Sequence, residues 1–336
     1  MMTRTRRATS YSLVCALAAA SSSLFCGLVM AQAPAEKALA AEPFRIVAPF
    51  PPGGPIDSLS RSLAAGVSER YKQSAVVENL PGAAGNIGID KVKRAKPDGH
   101  TLLVVPAGNL TINPTLMSNF PFNIERDFVP VTMLAKAPNV LVASPAINVR
   151  TVKDLIALAR AKPGTLSYAS PGVGSGLHLA GELFKQQAEV DLLHVPYKGT
   201  GPALNDVLGG QVPLMFSNLP GTLAQIKSGK LVAIGITDTN RSATAPEIPT
   251  LAEQGISGVV VTSWYGLLAP AGTPAAVVEQ LARDAADILG QPATRDQLKA
   301  QGLTDTVMKP TDFAAYIRTE TAQWARIIKA RNIVAE

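Results

Sequence analysis

Cysteine is almost absent from this chain. Cys15 and Cys26 are the two that occur. Both lie in the first 41 residues, and neither follows a lipoprotein box, since Val14 and Phe25 precede them. A mature chain without that segment has no disulfide and no thiolate chemistry. Its stability rests on core burial, which a chain of 336 residues supplies. Histidine is nearly as scarce. His100, His178 and His194 have spacings unlike a zinc motif, with no cysteine near them, so no metal site is implied. Aromatics make up 5% of the chain and no basic run interleaves with them, which removes the nucleic-acid-binding class. No Gly-x4-Gly-Lys-Ser/Thr occurs, which removes the P-loop. No cofactor is implied. What remains, with 47% hydrophobic and 17% charged residues, is an ordinary globular composition long enough for two domains.

The first 41 residues read as a secretory signal peptide. Arg4, Arg6 and Arg7 precede an uncharged apolar run from Tyr11 to Met30. Ala31-Gln32-Ala33 and Ala38-Leu39-Ala40 are small-x-small cleavage candidates, placing cleavage within 31–41. The run approaches bilayer-spanning length, but its Ala and Ser content and these sites favour export over anchoring. Arg6-Arg7 hints at a twin-arginine route that the following residues do not support. Residues beyond 41 carry 27 basic and 24 acidic side chains, a mild net charge of +3.

The mature chain alternates strand and helix signals. Phe44–Ala48 reads as a buried strand. Ile56, Leu59, Leu63 and Val67 then recur at helical spacing. Ala75–Glu78 and Thr101–Val105 read as further strands, giving βαβ units and a parallel sheet. Asn139–Ser144 and Val261–Ala269 are extended segments closed by Pro145 and Pro270. A second α/β series lies between them. The predicted organisation is one domain from 42–141 plus 262–336 and another from 142–261, joined by two crossing strands with a cleft between. The last predicted helix, Thr311–Ala330, carries Phe313, Ile317, Trp324 and Ile328 on one side.

Four glycine-rich turns each follow a predicted strand and open a helix. They are Pro52-Gly53-Gly54-Pro55, Pro81-Gly82-Ala83-Ala84-Gly85-Asn86, Pro171-Gly172-Val173-Gly174-Ser175-Gly176 and Tyr197-Lys198-Gly199-Thr200-Gly201. The first, taken alone, is an ordinary βα turn. Two such turns per domain, at the carboxyl ends of strands, make an anion held across a cleft the stronger reading. Ser175 sits in Gly-Ser-Gly, but Val173 breaks the nucleophile-elbow pattern. With His178 on the same short helix and no third group to orient it, no triad is indicated. Ser175 is expected as a helix N-cap or ligand hydroxyl donor. His178 has the best claim on the cleft among the histidines, His100 reads as a turn residue, and His194 as a core histidine. Lys198 either adds charge to the site or stays solvated.

These stretches together resemble the extracytoplasmic solute receptors of tripartite tricarboxylate transporters, the Bordetella-uptake (Bug) receptors. The matching pieces are Val47–Asp57, Glu78–Gly88, Pro97–Leu102, Ser175–Phe184, His194–Gly199 and Trp264–Pro274, in family order over about 43–333. The resemblance implies a type II periplasmic binding-protein fold, not an enzyme, exported to the periplasm and acting as a monomer. It implies a small carboxylate ligand, delivered to the permease subunits of a membrane transporter. Carried to this chain, one jaw maps to Phe50–Asp57, with Gly53, Gly54 and Ile56, and to Gly82–Gly88, with Gly85 and Asn86. The other maps to Ser170–His178 and to Tyr197–Thr200. Many members place an acid after the residue matching Phe216, where this chain has Ser217. That departure argues against an amine-bearing ligand. A receptor feeding a sensor protein and a secreted esterase using Ser175 and His178 are the alternative functions.

Overall fold

The computed structural model describes residues 35–334. The signal-peptide reading falls mainly on 1–34, outside the described residues. The segment 35–41 is inside them and packs on the fold. Residues 35–39 are helical, Leu39 is fully buried, and Gln73 Nε2 donates to the Ala40 carbonyl at 2.8 Å.

The first lobe begins β1 (Phe44–Ala48), α1 (Pro55–Tyr71), β2 (Ala75–Asn79), α2 (Asn86–Lys93) and β3 (Thr101–Pro106). Helix α1 starts where the sequence signals it. Gly54 is its N-cap, Pro55 opens the first turn, and Ile56, Leu59, Leu63 and Val67 form its buried face. Two short helices follow, α3 (Ala107–Thr111) and α4 (Asn113–Leu116), then α5 (Ile124–Asp127) and the ten-residue β4 (Phe128–Ala137).

One residue, Pro138, separates β4 from the second sheet. That sheet is built from β5 (Asn139–Ala143), α6 (Val152–Ala161), β6 (Ser167–Ser170), α7 (Gly176–Ala188), β7 (Leu193–Pro196), α8 (Thr200–Leu208), β8 (Leu214–Asn218), α9 (Leu219–Lys227) and β9 (Val232–Ile236). Thr151 caps α6 with a full capping box closed by Asp154. The chain returns through β10 (Ser263–Pro270) and ends with α10 (Ala275–Gly290), α11 (Pro292–Ala300), the two-residue β11 (Thr304–Asp305) and α12 (Pro310–Ala330).

The sheet orders are β11-β4-β10-β3-β1-β2 and β7-β6-β8-β5-β9. In the first, β1 pairs parallel with β2 and β3, while β10 pairs antiparallel with β3 and β4. In the second, β6 pairs parallel with β7 and β8, and β5 runs antiparallel between β8 and β9. Each is a mixed α/β sheet covered by helices, and the chain crosses between them at Pro138 and at Thr262.

The crossings are tied by a buried polar knot. Asn139 Nδ2 donates to the Val261 carbonyl at 2.8 Å. Asn218 Nδ2 donates to Asn139 Oδ1 at 2.8 Å and to Ser263 Oγ at 2.9 Å. Tyr265 OH donates to Asn218 Oδ1 at 3.3 Å. Helix α12 also spans the two lobes. Phe313 and Ile317 pack with Trp264, Val105 and Phe128 of the first, while Trp324 and Ile328 pack with Leu177 and Phe184 of the second. Ile112 and Leu116, just after β3, join that second core as well.

Candidate functional site

The glycine-rich turns lie at the carboxyl ends of β1, β2, β6 and β7. In the first, Gly53 takes a left-handed φ of 93° and its amide donates to Asp57 Oδ2 at 3.1 Å. Arg61 Nε donates to the same oxygen at 3.0 Å. Burial pushes the Asp57 carboxyl up, but the bonds from Arg61 and Gly53 outweigh it and hold it below its ordinary value. Asp57 is therefore buried and committed to its own loop, and Ile56 is part of the core. What the turn leaves over is backbone. The Gly54, Ile56 and Asp57 amides have no hydrogen-bond partner among the described residues.

The second turn is the most strained stretch of the described backbone. Gly82, Ala83, Ala84 and Gly85 are left-handed in succession, at φ 128°, 47°, 55° and 93°. Two alanines in that region cost free energy that a plain connection would avoid, and such strain gathers at functional sites. The turn is held from both sides. Phe50 and Asn109 pack so closely on Gly85 that a Cβ there would lie 3.3 Å from each. Asn109 Nδ2 donates to the Ala84 carbonyl at 2.7 Å, and Asn79 Nδ2 donates to the Phe50 carbonyl at 3.2 Å. Asn86 Oδ1 is buried with no partner among the described residues.

In the second lobe, Ser175 is the N-cap of α7. Its Oγ accepts from the His178 amide at 3.1 Å and donates to the Gly172 carbonyl at 2.7 Å. Ser170 Oγ accepts from the Gly172 amide at 3.1 Å and lies 2.7 Å from His194 Nε2. His178 is buried behind the loop, where its Nδ1 accepts from the Gly174 amide at 3.3 Å. Tyr197 OH donates to Asp206 Oδ2 at 2.6 Å; burial and that carboxylate push the phenol up to about 12. Gly199, at φ 118°, caps α8, and Thr200 opens it. The Val173, Gly176, Leu177 and Thr200 amides have no partner among the described residues. Ser217 is fully buried in β8, and its Oγ also has none.

The lobes meet close to these turns. A Cβ on Gly108 would fall 2.4 Å from the Gly174 carbonyl oxygen, and one on Gly302 would strike the Pro220 ring. Asn113 Oδ1 abuts Gly174 from the first lobe. The stretch 106–113, absent from the sequence-derived site, thus brings Gly108, Asn109 and Asn113 to the seam. The signal for it was positional, since β3 is a third parallel strand whose carboxyl end also faces this way.

The candidate site is thus mostly main chain, in paired turns on two sheets that the chain crosses twice. That arrangement is the periplasmic binding-protein fold. The chain belongs to the tripartite tricarboxylate transporter family receptors, whose model matches residues 59–333. It is 36% identical to Protein BugT of Bordetella pertussis over 290 residues, 86% of this chain and 89% of that one. A solved structure described as a periplasmic transporter is 37% identical and superposes with a TM-score of 0.82, covering 88% of this chain and 99% of its own. R. palustris Rpa4515 with adipate gives 33% and 0.83, over 88% and 98% of the two chains. MatC from Rhodopseudomonas palustris with bound malate gives 29% and 0.80, over 86% and 99%. The family is one of binding receptors, not of enzymes.

Proposed function

We propose that this receptor works in the periplasm, closes its two lobes on a small organic carboxylate, and delivers it to the permease of a tripartite tricarboxylate-type membrane transporter. The observation that carries the reading is the set of partnerless amides at the strand ends of both lobes, Gly54, Ile56 and Asp57 on one side and Val173, Gly176 and Leu177 on the other. Amides at helix N-termini suit an anion. Charge-assisted hydrogen bonds contribute roughly 1.5–3 kcal/mol each, and micromolar binding needs about 8 kcal/mol net. Five or six such bonds supply that after the costs of association, with no arginine in direct contact. Relatives bound to adipate and malate support dicarboxylates as the class to test first. The family resemblance sets an acid where this chain has the uncharged Ser217, which argues against an amine-bearing ligand.

The test is calorimetry against succinate, malate, adipate, citrate, benzoate and aspartate. We expect at least one dicarboxylate to bind and aspartate to bind weakly. A Cβ on Gly54 would meet nothing within 4 Å. Gly54→Val should therefore leave the melting temperature near wild type while lowering affinity about tenfold or more, since its branch covers the amides. A folded wild-type protein that binds no carboxylate would sink the proposal. Equal loss of stability and affinity in Gly54→Val would reduce the turn to a plain connection.

A further inference from the structure

Behind the 171–175 turn lies a stack of rings that the ligand-binding reading does not use. Tyr168 and His194 are directly paired across β6 and β7, and their rings stack at 4.9 Å between centroids. His178, from α7, stacks on the far side of His194 at 4.2 Å. Both imidazoles reach toward the turn, His178 directly and His194 through Ser170. Ser170 Oγ, held by His194, and His178 Nδ1 accept from alternate residues, the Gly172 and Gly174 amides. The amides between and beyond, Val173, Gly176 and Leu177, are the partnerless ones.

We propose that His178 and His194 are positioning residues: an uncharged, stacked brace that turns the Gly172 and Gly174 amides inward and so presents the Val173, Gly176 and Leu177 amides to the ligand. This inference rests on the carboxylate-binding reading for its purpose, but its geometry can be read without ligand. The brace requires a neutral His178 ring. A proton on His178 Nδ1 would set a donor against the Gly174 amide, and the turn would lose its anchor. The surroundings oppose that proton. Burial, then the Lys185 ammonium, lowers His178 to about 4. Burial, His178 and Lys185 lower His194 to about 3, against the opposing pull of Glu182. The other ionisable groups facing the stack are Tyr168, which donates to Glu182 at 2.7 Å, and Lys185, which pairs with Glu182 at 3.0 Å.

The experiment follows backbone amide exchange and imidazole nitrogen shifts by NMR on ligand-free protein. In wild type, His178 should be the Nε2–H tautomer, and the Gly174 resonance should stay put from neutral pH until His178 protonates near 4. His178→Ala should exchange Gly174 about tenfold faster, and His178→Asn, whose Oδ1 can accept, should stay within about threefold of wild type. Affinity for whichever dicarboxylate of the panel binds should follow the same order, with the alanine variant about tenfold weaker. The ligand's own protonation is common to all three proteins. A His178 that titrates near its ordinary value, or an alanine variant with Gly174 exchange unchanged, would overturn the brace. So would a uniform loss in both variants. If the brace appears but no carboxylate binds, the functional reading fails alone.

Discussion

Replacing Gly108 with alanine tests whether the seam between the lobes governs binding. The new Cβ would sit 2.4 Å from the Gly174 carbonyl oxygen and 3.3 Å from Ser175 Cα. Both are backbone, so no rotamer relieves the clash. An ordinary carbon–oxygen contact is about 3.3 Å, so the loops must part by about 1 Å. Hydrogen bonds from the two lobes to one small ligand do not tolerate that, since their useful range spans about half an ångström. Losing two charge-assisted bonds forfeits roughly 3–6 kcal/mol, of which loop relaxation recovers part. We therefore expect affinity to fall about a hundredfold. Overpacking at one seam contact should cost about 1–3 kcal/mol of stability, leaving the protein folded. Gly290→Ala is the control, because a Cβ there meets nothing within 4 Å. Calorimetry measures affinity directly. Intrinsic fluorescence adds a report on the lobes, because Trp264 lies in the returning crossing strand and Trp324 in the helix that spans both lobes. Wild-type affinity in Gly108→Ala would show that this contact does not limit closure.

Glu320 and the N-terminal segment give two further predictions. Trp264 Nε1 donates to Glu320 Oε2 at 2.7 Å, and burial raises that carboxyl to about 7 against the pull of the indole bond. A raised acid favours the folded state below its ordinary value of 4.5 and loses that stability as pH climbs from there to about 7. Glu320→Gln keeps an acceptor for Trp264 and removes the ionisation, so it should match wild type at pH 4 and be more stable by about 2 kcal/mol at pH 8; a pH-independent difference in thermal melts would contradict this. Because Leu39 is fully buried and Ala40 bonds Gln73, removal of the expected signal peptide should leave a chain that begins at or before Ala35. Intact mass would reveal a start at Ala41 if this is wrong.

Much of the architecture was legible because it rests on local signals. Pro55 after Gly54, the apolar spacing from Ile56 to Val67, and Thr151 ahead of an apolar run each announce a helix start that the fold uses. Strand β4 was not legible. Pro130 interrupts it, and its pairing with β10 is irregular at that point, where Leu268 faces Pro130 across a register shift. The site was legible as loops but not as atoms. Sequence places Asp57 and His178 beside the turns, yet only packing decides that both face their own backbone. The apolar side of α12 was visible from Phe313 to Ile328. That its two ends serve different cores depends on where the lobes lie, which no periodicity records.

Helix α12 has a mechanical consequence. Its 21 residues make a rod of about 32 Å, embedded at one end in each lobe. A continuous helix does not fold in half, so the lobes cannot swing about an arbitrary axis. Any motion must pivot close to the rod or slide side chains at one of its ends. On the proposed closure, the lobes would move like a book bound along α12 and the Asn139–Asn218–Ser263 knot, with the page edges free and the spine nearly still. Groups near the spine would then keep one geometry throughout, while the turns farther out would travel. Recognition can thus be divided in space, with a fixed reading next to the binding and a conditional one at the opening edge.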